Sequence, residues 1–330
     1  MPPIITVTEL QKYFKIPQHF RGFLGSFRNF LTFQTNVIRA VDGISFNVEA
    51  GELVGYLGPN GAGKSTTVKM LTGLLVPTGG QLIVNGRIPW KERKTYVANI
   101  GAVFGQRTTL WWDLPVIESL ELIKYIYKIP PSLFKKNLEE FRELLGLEAF
   151  FNIPVRSLSL GQRMRADICA ALLHDPQILF LDEPTIGLDV VAKERIRQFI
   201  RHINREHGTT IILTTHDLSD IEKLCERVLI IDHGKLLYDG ALSALQERFG
   251  GKRLLVVDFA DDYPSTEVDL AEIVEREGAR VTYQFYRKDI SASDLINLLS
   301  TRYRIRDLEV KDPDIEDTIR RIYEERLLEP

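Results

Sequence analysis

The chain has 330 residues, a net charge of -3 and 44% hydrophobic residues, which fits a globular protein of two domains and excludes a strongly basic nucleic-acid binder. No apolar run is long enough to cross a bilayer, and the start MPPIITVTEL lacks the basic-then-apolar order of a signal peptide. The expectation is a cytoplasmic protein; if it serves a membrane process, the membrane part is another chain.

Residues 5–14 (ITVTELQKYF) alternate weakly and read as a strand. Tyr13 or Phe14 near its end is either an aromatic on a sheet face or a platform for an adenine ring. In residues 16–36, Phe20, Phe23, Leu24, Phe27, Phe30 and Leu31 recur at helical spacing, while Arg21, Arg28 and Asn29 lie off that stripe. Gly22 and Gly25 weaken such a helix by about 1 kcal/mol each relative to alanine. The stretch is therefore either an amphipathic helix for a membrane surface or partner, or a helix packed on the protein's own core. Residues 40–52 give a strand and a turn at residues 49–51.

An apolar strand at residues 52–57 (ELVGYL) leads into GPNGAGKST at residues 58–66, and a helical pattern follows. This is the strand–loop–helix setting of G-x-x-x-x-G-K-[ST]. Gly58, Gly61 and Gly63 let backbone N–H groups turn towards phosphate oxygens, and the helix N-terminus adds positive potential. Lys64 is expected to reach the β- and γ-phosphates and Ser65 to hold Mg²⁺.

Residues 77–86 carry hairpin chemistry, and residues 99–106 form a buried strand ending at Gln106. Trp111 and Trp112 follow; they read as core packing or, with slight preference, as a partner-contact surface. Residues 118–152 are helical by pattern. LSLGQ at residues 158–162 opens a helix, with Ser159 and Gly161 suited to an N-terminus that can face an anion. ILFLDEP at residues 178–184 is a strand ending in two acids: Asp182 is placed for the magnesium shell and Glu183 for taking a proton from water. GLD at residues 187–189 is a turn, and TTIILTTHD at residues 209–217 is a β-branched strand leading to His216. Cys169 and Cys225 sit in apolar helical patterns and read as buried free thiols of a reducing compartment.

The set GPNGAGKST, Gln106, LSLGQ, LDEP, GLD and His216, in that order, resembles the ATP-binding subunit of ABC transporters over residues from about 5 to 240. The resemblance implies nucleotide contacts from Gly58, Pro59, Asn60, Gly61, Ala62, Gly63, Lys64, Ser65 and Thr66, with Phe14, or failing it Tyr13, stacked on the adenine. It makes Gln106 the Q-loop residue, near Mg²⁺ and the attacking water and linked to the membrane partner. Asp182 becomes the Walker B acid, Glu183 the catalytic base, Asp189 a D-loop residue and His216 the switch histidine. Ser159, Gly161 and Gln162 belong to the signature, which in this family contacts ATP bound to the opposite subunit. The usual signature is LSGGQ; Leu160 replaces its first glycine. FGQRTTLWWDLP and the long C-terminal region are similar to the subfamily that serves ABC-2-type exporters, whose permease is a separate chain.

After residue 240, strand patterns at 252–259, 280–286 and 305–312 alternate with helical patterns at 269–278, 293–303 and 314–327. They suggest a small two-layer α+β domain of ferredoxin-like kind. The expected architecture is thus a P-loop α/β ATP-binding domain at residues 1–240, with an amphipathic insertion at 16–36 and a helical signature subdomain, then an α+β accessory domain at 241–330. The expected function is ATP hydrolysis, with Mg²⁺, in an exporter. The expected partners are a permease, a second ATP-binding subunit, taken as a second copy, and the cytoplasmic face of the membrane. The rival readings are a soluble ABC-type ATPase without a transport role and a nucleotide-gated scaffold. A single P-loop without a long coiled coil argues against the first, and intact Lys64, Asp182, Glu183 and His216 argue against the second.

Overall fold

The computed structural model describes residues 2–17, 35–105, 107–249, 252–286, 288–311 and 315–324. They divide into two compact units, Met1–Ala241 and Leu242–Pro330. The first unit carries nine strands among its described residues: β1 (Ile5–Pro17), β2 (Thr35–Val48), β3 (Leu53–Leu57), β4 (Gly79–Val84), β5 (Ile100–Phe104), β6 (Ile178–Asp182), β7 (Thr210–Thr214), β8 (Arg227–Asp232) and β9 (Lys235–Ala241).

Six of them form one sheet in the order β5-β6-β7-β3-β8-β9. All neighbours are parallel except β8 and β9. A parallel sheet is covered on both faces, so its strands read as continuous apolar runs rather than alternations. Every residue of β7 is buried, as are all but the last of β6. Ile211, Ile212 and Leu213 each contribute about 1.5–3 kcal/mol by leaving water. A second, antiparallel sheet has the order β2-β1-β4. Its Ile5, Val7 and Ile44 share one core with Val54 and Phe180 of the large sheet and with Val68 and Met70 of the helix Lys64–Leu71.

β1 and β2 form a long hairpin whose last rungs pair Ile16 with Asn36 and Pro17 with Thr35. The ends of the expected amphipathic insertion are therefore strand; its residues 18–34 lie outside the described residues, as does Gln106. Residues 118–152 resolve into the helices Val116–Ile126 and Pro131–Leu144 and a 3₁₀ turn, Glu148–Phe150. Both helices pack on the helix Leu160–Leu172. Trp111 and Trp112 are 40% and 49% exposed, so they are not core residues of this chain. Cys169 and Cys225 are buried free thiols, and burial pushes both well above the ordinary thiol range.

The second unit runs helix Leu242–Phe249, β10 (Arg253–Phe259), β11 (Glu272–Glu277), β12 (Arg280–Phe285), helix Ala292–Arg302, β13 (Ile305–Lys311) and helix Ile315–Glu324. The sheet order is β11-β12-β10-β13, with every pair antiparallel. β10 and β11 are split by β12, as in a ferredoxin-like layer. Leu255, Val257 and Phe259 alternate along β10 and bury one face with Leu295 and Leu299 of the helix Ala292–Arg302. The expected helix at 269–278 is instead β11. Its Glu- and Arg-rich sequence favours a helix locally, but Gly278, at φ 59°, turns the chain so that Glu277 faces Arg280 across a hairpin. Pairing along an exposed edge overrides the local preference, and charged residues suit such an edge.

Candidate active site

The C-terminal ends of β3, β5, β6 and β7 lie side by side, with Phe104 level with Asp182, and Asp182 and Tyr56 both level with Thr214. Such strand ends are where open parallel sheets take ligands. The phosphate loop leaves β3 there and enters the helix Lys64–Leu71 at its N-cap, Gly63. Gly63 has φ 109°, and a Cβ on it would stand 2.3 Å from the carbonyl oxygen of Ala40, so only glycine fits. The other side of the loop is braced too. The Gly234 N–H donates to the Ala62 carbonyl, and the Asp42 N–H donates to the Gly234 carbonyl. Tyr13 belongs to this brace: its hydroxyl donates to Asp42 Oδ1 at 2.6 Å, and the Arg39 guanidinium lies over its ring. Phe14, one residue on, is 37% exposed, with Lys12 Nζ 5.3 Å from its ring centre. Of the two aromatics, Phe14 is the one not tied into the brace by a hydrogen bond.

Lys64 is 6% exposed and donates to the carbonyls of Gly58 and Pro59 at 2.6 and 3.1 Å. Burial pushes its ammonium below the ordinary lysine range, and the charges of Glu183 and Asp182 offset part of that shift. Ser65 Oγ donates to Asp182 Oδ1 at 3.3 Å, and Thr214 Oγ1 donates to the same oxygen at 2.5 Å. An aligned hydroxyl and carboxylate at a phosphate loop make a donor set suited to Mg²⁺, a hard cation that prefers oxygen.

Glu183 follows in a left-handed backbone conformation, φ 55°. For a residue with a side chain this costs of order 1–3 kcal/mol, and such strain collects at functional positions. Two contacts hold it: its N–H donates to the Thr214 carbonyl at 2.9 Å, and Gly105 donates to the Asp182 carbonyl at 2.8 Å. His216 Nδ1 lies 3.5 Å from Glu183 Oε1; the histidine is 55% exposed and the glutamate 24%. Asn60, Ser65, Lys69, Arg107, Asp182, Glu183 and His216 line one pocket of about 680 Å³. A pocket of about 740 Å³ at the opposite ends of the strands, around Gly51 and Arg227, holds none of these groups.

Ser159, Gly161 and Gln162 do not line the 680 Å³ pocket. Ser159 caps the helix Leu160–Leu172: its Oγ accepts the Gln162 N–H at 3.2 Å, and Gln162 Oε1 accepts the Ser159 N–H at 2.9 Å. Asp189 caps the helix Val190–His207 by accepting the Ala192 N–H at 2.8 Å. The two caps adjoin each other. A Cβ on Gly161 would be 3.3 Å from that of Ala192, and one on Gly187 would be 3.1 Å from Leu160 Cδ2. Leu160, in place of the usual glycine, therefore seats against the GLD turn.

Sequence reasoning missed three supports of the site. Thr214 holds Asp182. Gly105 leaves room for the Glu183 carbonyl, which a Cβ there would approach to 2.3 Å. Ala40 and Gly234 brace the phosphate loop. Glycine directly before Gln106, and threonine two residues before His216, were the available signals.

These features define a P-loop ATPase whose acids and histidine stand on neighbouring strand ends. The ABC transporter family model matches residues 41–186. The chain is 36% identical to the ABC transporter ATP-binding protein NatA of Bacillus subtilis (strain 168) over 211 residues, 64% of this chain and 85% of that protein. It is 36% identical to the Nod factor export ATP-binding protein I of Ralstonia nicotianae over 251 residues, 76% of this chain and 77% of that protein. Among solved structures it is similar to the dimeric ATP-binding cassette MJ0796 bound to ADP and Pi, with a TM-score of 0.60, 27% identity, and coverage of 72% of this chain and 98% of that one. The chain belongs to the ATP-binding subunits of ABC transporters and is an ATPase. Among the described residues no helix is long and apolar enough to cross a membrane.

Proposed function

We propose that the chain is the ATP-hydrolysing subunit of an ABC-2-type exporter, working with a separate permease and a second copy of itself on the cytoplasmic face of the membrane. The observation that carries the reading is the convergence of Lys64, Ser65, Asp182, Glu183 and His216 at one set of strand ends. The name of the Nod factor export relative supports the exporter assignment. The phosphates of ATP replace the loop carbonyls as partners of Lys64 and take the N–H groups at the start of the helix Lys64–Leu71. Ser65 and Asp182, with Gln106 from outside the described residues, would hold Mg²⁺, which neutralises charge on the transferred phosphoryl group.

Glu183, not Asp182, is suited to be the base. Asp182 already accepts hydrogen bonds from two hydroxyls, whereas Glu183 reaches the pocket with His216 beside it. Glu183 accepts a proton from water, and His216 orients the carboxylate and faces the γ-phosphate. Ser159, Gly161 and Gln162 line no part of this chain's own pocket, which supports their contacting ATP on the partner copy, and Phe14 offers the adenine a face. Closing of the paired subunits on ATP is the event passed to the permease, and hydrolysis releases it. The test is Glu183→Gln, which keeps size and removes the base. Turnover is expected to fall about 100-fold or more, with ATP binding retained and an ATP-bound dimer accumulating. Turnover within a few-fold of the parent would remove Glu183 from the role of base.

A further inference from the structure

Away from the nucleotide pocket, three side chains with metal-binding chemistry converge. Glu140 lies on the helix Pro131–Leu144; His202 and His207 lie on the helix Val190–His207. Glu140 Oε1 is 2.7 Å from His202 Nε2 and 3.0 Å from His207 Nε2, and the three donor atoms all lie within 4.8 Å of one another. We propose that Glu140, His202 and His207 form a site for one divalent transition-metal ion of the zinc class, tying these two helices together.

Three observations carry this. First, the donor set is two imidazoles and one carboxylate, which leaves a fourth position for water, an arrangement zinc adopts. With bonds of 2.0–2.1 Å, tetrahedral donors stand about 3.3 Å apart. The two spacings to Glu140 Oε1, 2.7 and 3.0 Å, need about 0.3–0.6 Å of opening, and the imidazole nitrogens, within 4.8 Å of each other, would settle at the same separation. Second, the outer support is in place. Asp175 Oδ1 lies 3.4 Å from His207 Nδ1, and a carboxylate on the far nitrogen of a ligating histidine fixes its ring and raises its basicity. Third, the two helices pack on each other beside the donors. Phe141, next to Glu140, packs edge-on against Phe199 of the histidine helix with ring centres 5.3 Å apart. All three donors are half-buried. Imidazole and carboxylate donors together favour zinc, nickel or cobalt over Mg²⁺. The tie acts at a distance from the reacting atoms: the histidine helix begins at Asp189, and the Glu140 helix packs on the helix that Ser159 caps.

The test uses the full chain, freed of metal by a chelator and without nucleotide. Co²⁺ is the probe. One equivalent is expected to bind with the visible absorption of a low-coordinate nitrogen–oxygen site, to be displaced by one equivalent of Zn²⁺, and zinc is expected to raise the thermal midpoint. His202→Gln and His207→Gln should each weaken Co²⁺ binding by at least about 100-fold and abolish the zinc-induced rise; Asp175→Asn should weaken it about 10- to 100-fold. His216→Ala should change neither, because that histidine belongs to the nucleotide pocket. A measurement without variants is zinc protection of His202 and His207 from acylation by diethyl pyrocarbonate, mapped by mass spectrometry. The proposal is overturned if the parent protein binds neither metal at micromolar concentration, if zinc leaves the labelling of both histidines unchanged, or if His216→Ala alone removes the cobalt signal.

Discussion

Gly105→Ala isolates the support of Glu183, the proposed base. Gly105 is not in the left-handed region, so alanine meets no conformational penalty there, and the whole effect is steric. The added Cβ would lie 2.3 Å from the Glu183 carbonyl oxygen and 3.1 Å from that of Asp182, where ordinary contact begins at 3.4 Å. Relief needs a displacement of roughly 1 Å at a peptide that sits between two strand-end hydrogen bonds. A misplacement of that size in a reacting constellation costs about 100-fold in rate. The P-loop is braced by β2 and the β8–β9 turn rather than by β5, so the nucleotide grip should survive. The assay is steady-state ATP turnover beside a separate measurement of nucleotide affinity. The expected result is turnover down about 100-fold with affinity within a few-fold of the parent. If turnover stays within three-fold, roughly, the strand ends yield without moving the Glu183 carboxylate, and the positioning argument fails.

For the proposed shared site, Lys64→Ala should remove the phosphate grip and Ser159→Arg should block the signature, so each preparation alone should be inactive. Mixed, with subunit exchange confirmed, they should regain part of the ATPase activity through one intact site per mixed dimer, and neither activity nor ATP-dependent dimerisation on mixing would rule out a site shared between identical chains. Asp217 tests a stabilising contact: burial pushes its carboxyl up, but the hydrogen bonds from Lys193 and Ser219 outweigh this and hold it down at about 2, against an ordinary 3.8. A carboxyl depressed in the folded state contributes its stability above pH 4, roughly, and loses it as pH falls towards 2. Asp217→Asn keeps a capping oxygen for the helix Leu218–Leu224 and should therefore cost about 2 kcal/mol in denaturant unfolding at pH 7, with the difference from the parent shrinking below pH 4; a constant difference down to pH 2 would refute the ion-pair account.

The sequence alone determined the parts of this protein that are local. A phosphate loop is one contiguous turn, so its grip, its glycines and its helix start are all written in nine consecutive residues. Buried parallel strands are unbroken apolar runs, which is why ILFLD and TIILT were legible as strands carrying Asp182 and leading to His216. Ser159 reads as a cap because its partner, Gln162, is three residues away. Tertiary structure decided what depends on which surfaces meet. Thr214 holds Asp182 from 32 residues away, and Ala40 closes on Gly63 from another sheet. Residues 272–277 have helix-forming composition, yet an edge partner in β12 makes them a strand. Glu140 and His202 lie 62 residues apart and meet only because their two helices pack through Phe141 and Phe199. Periodicity in a sequence records which face of an element is apolar; it carries no record of the face opposite, and contacts across elements are made there.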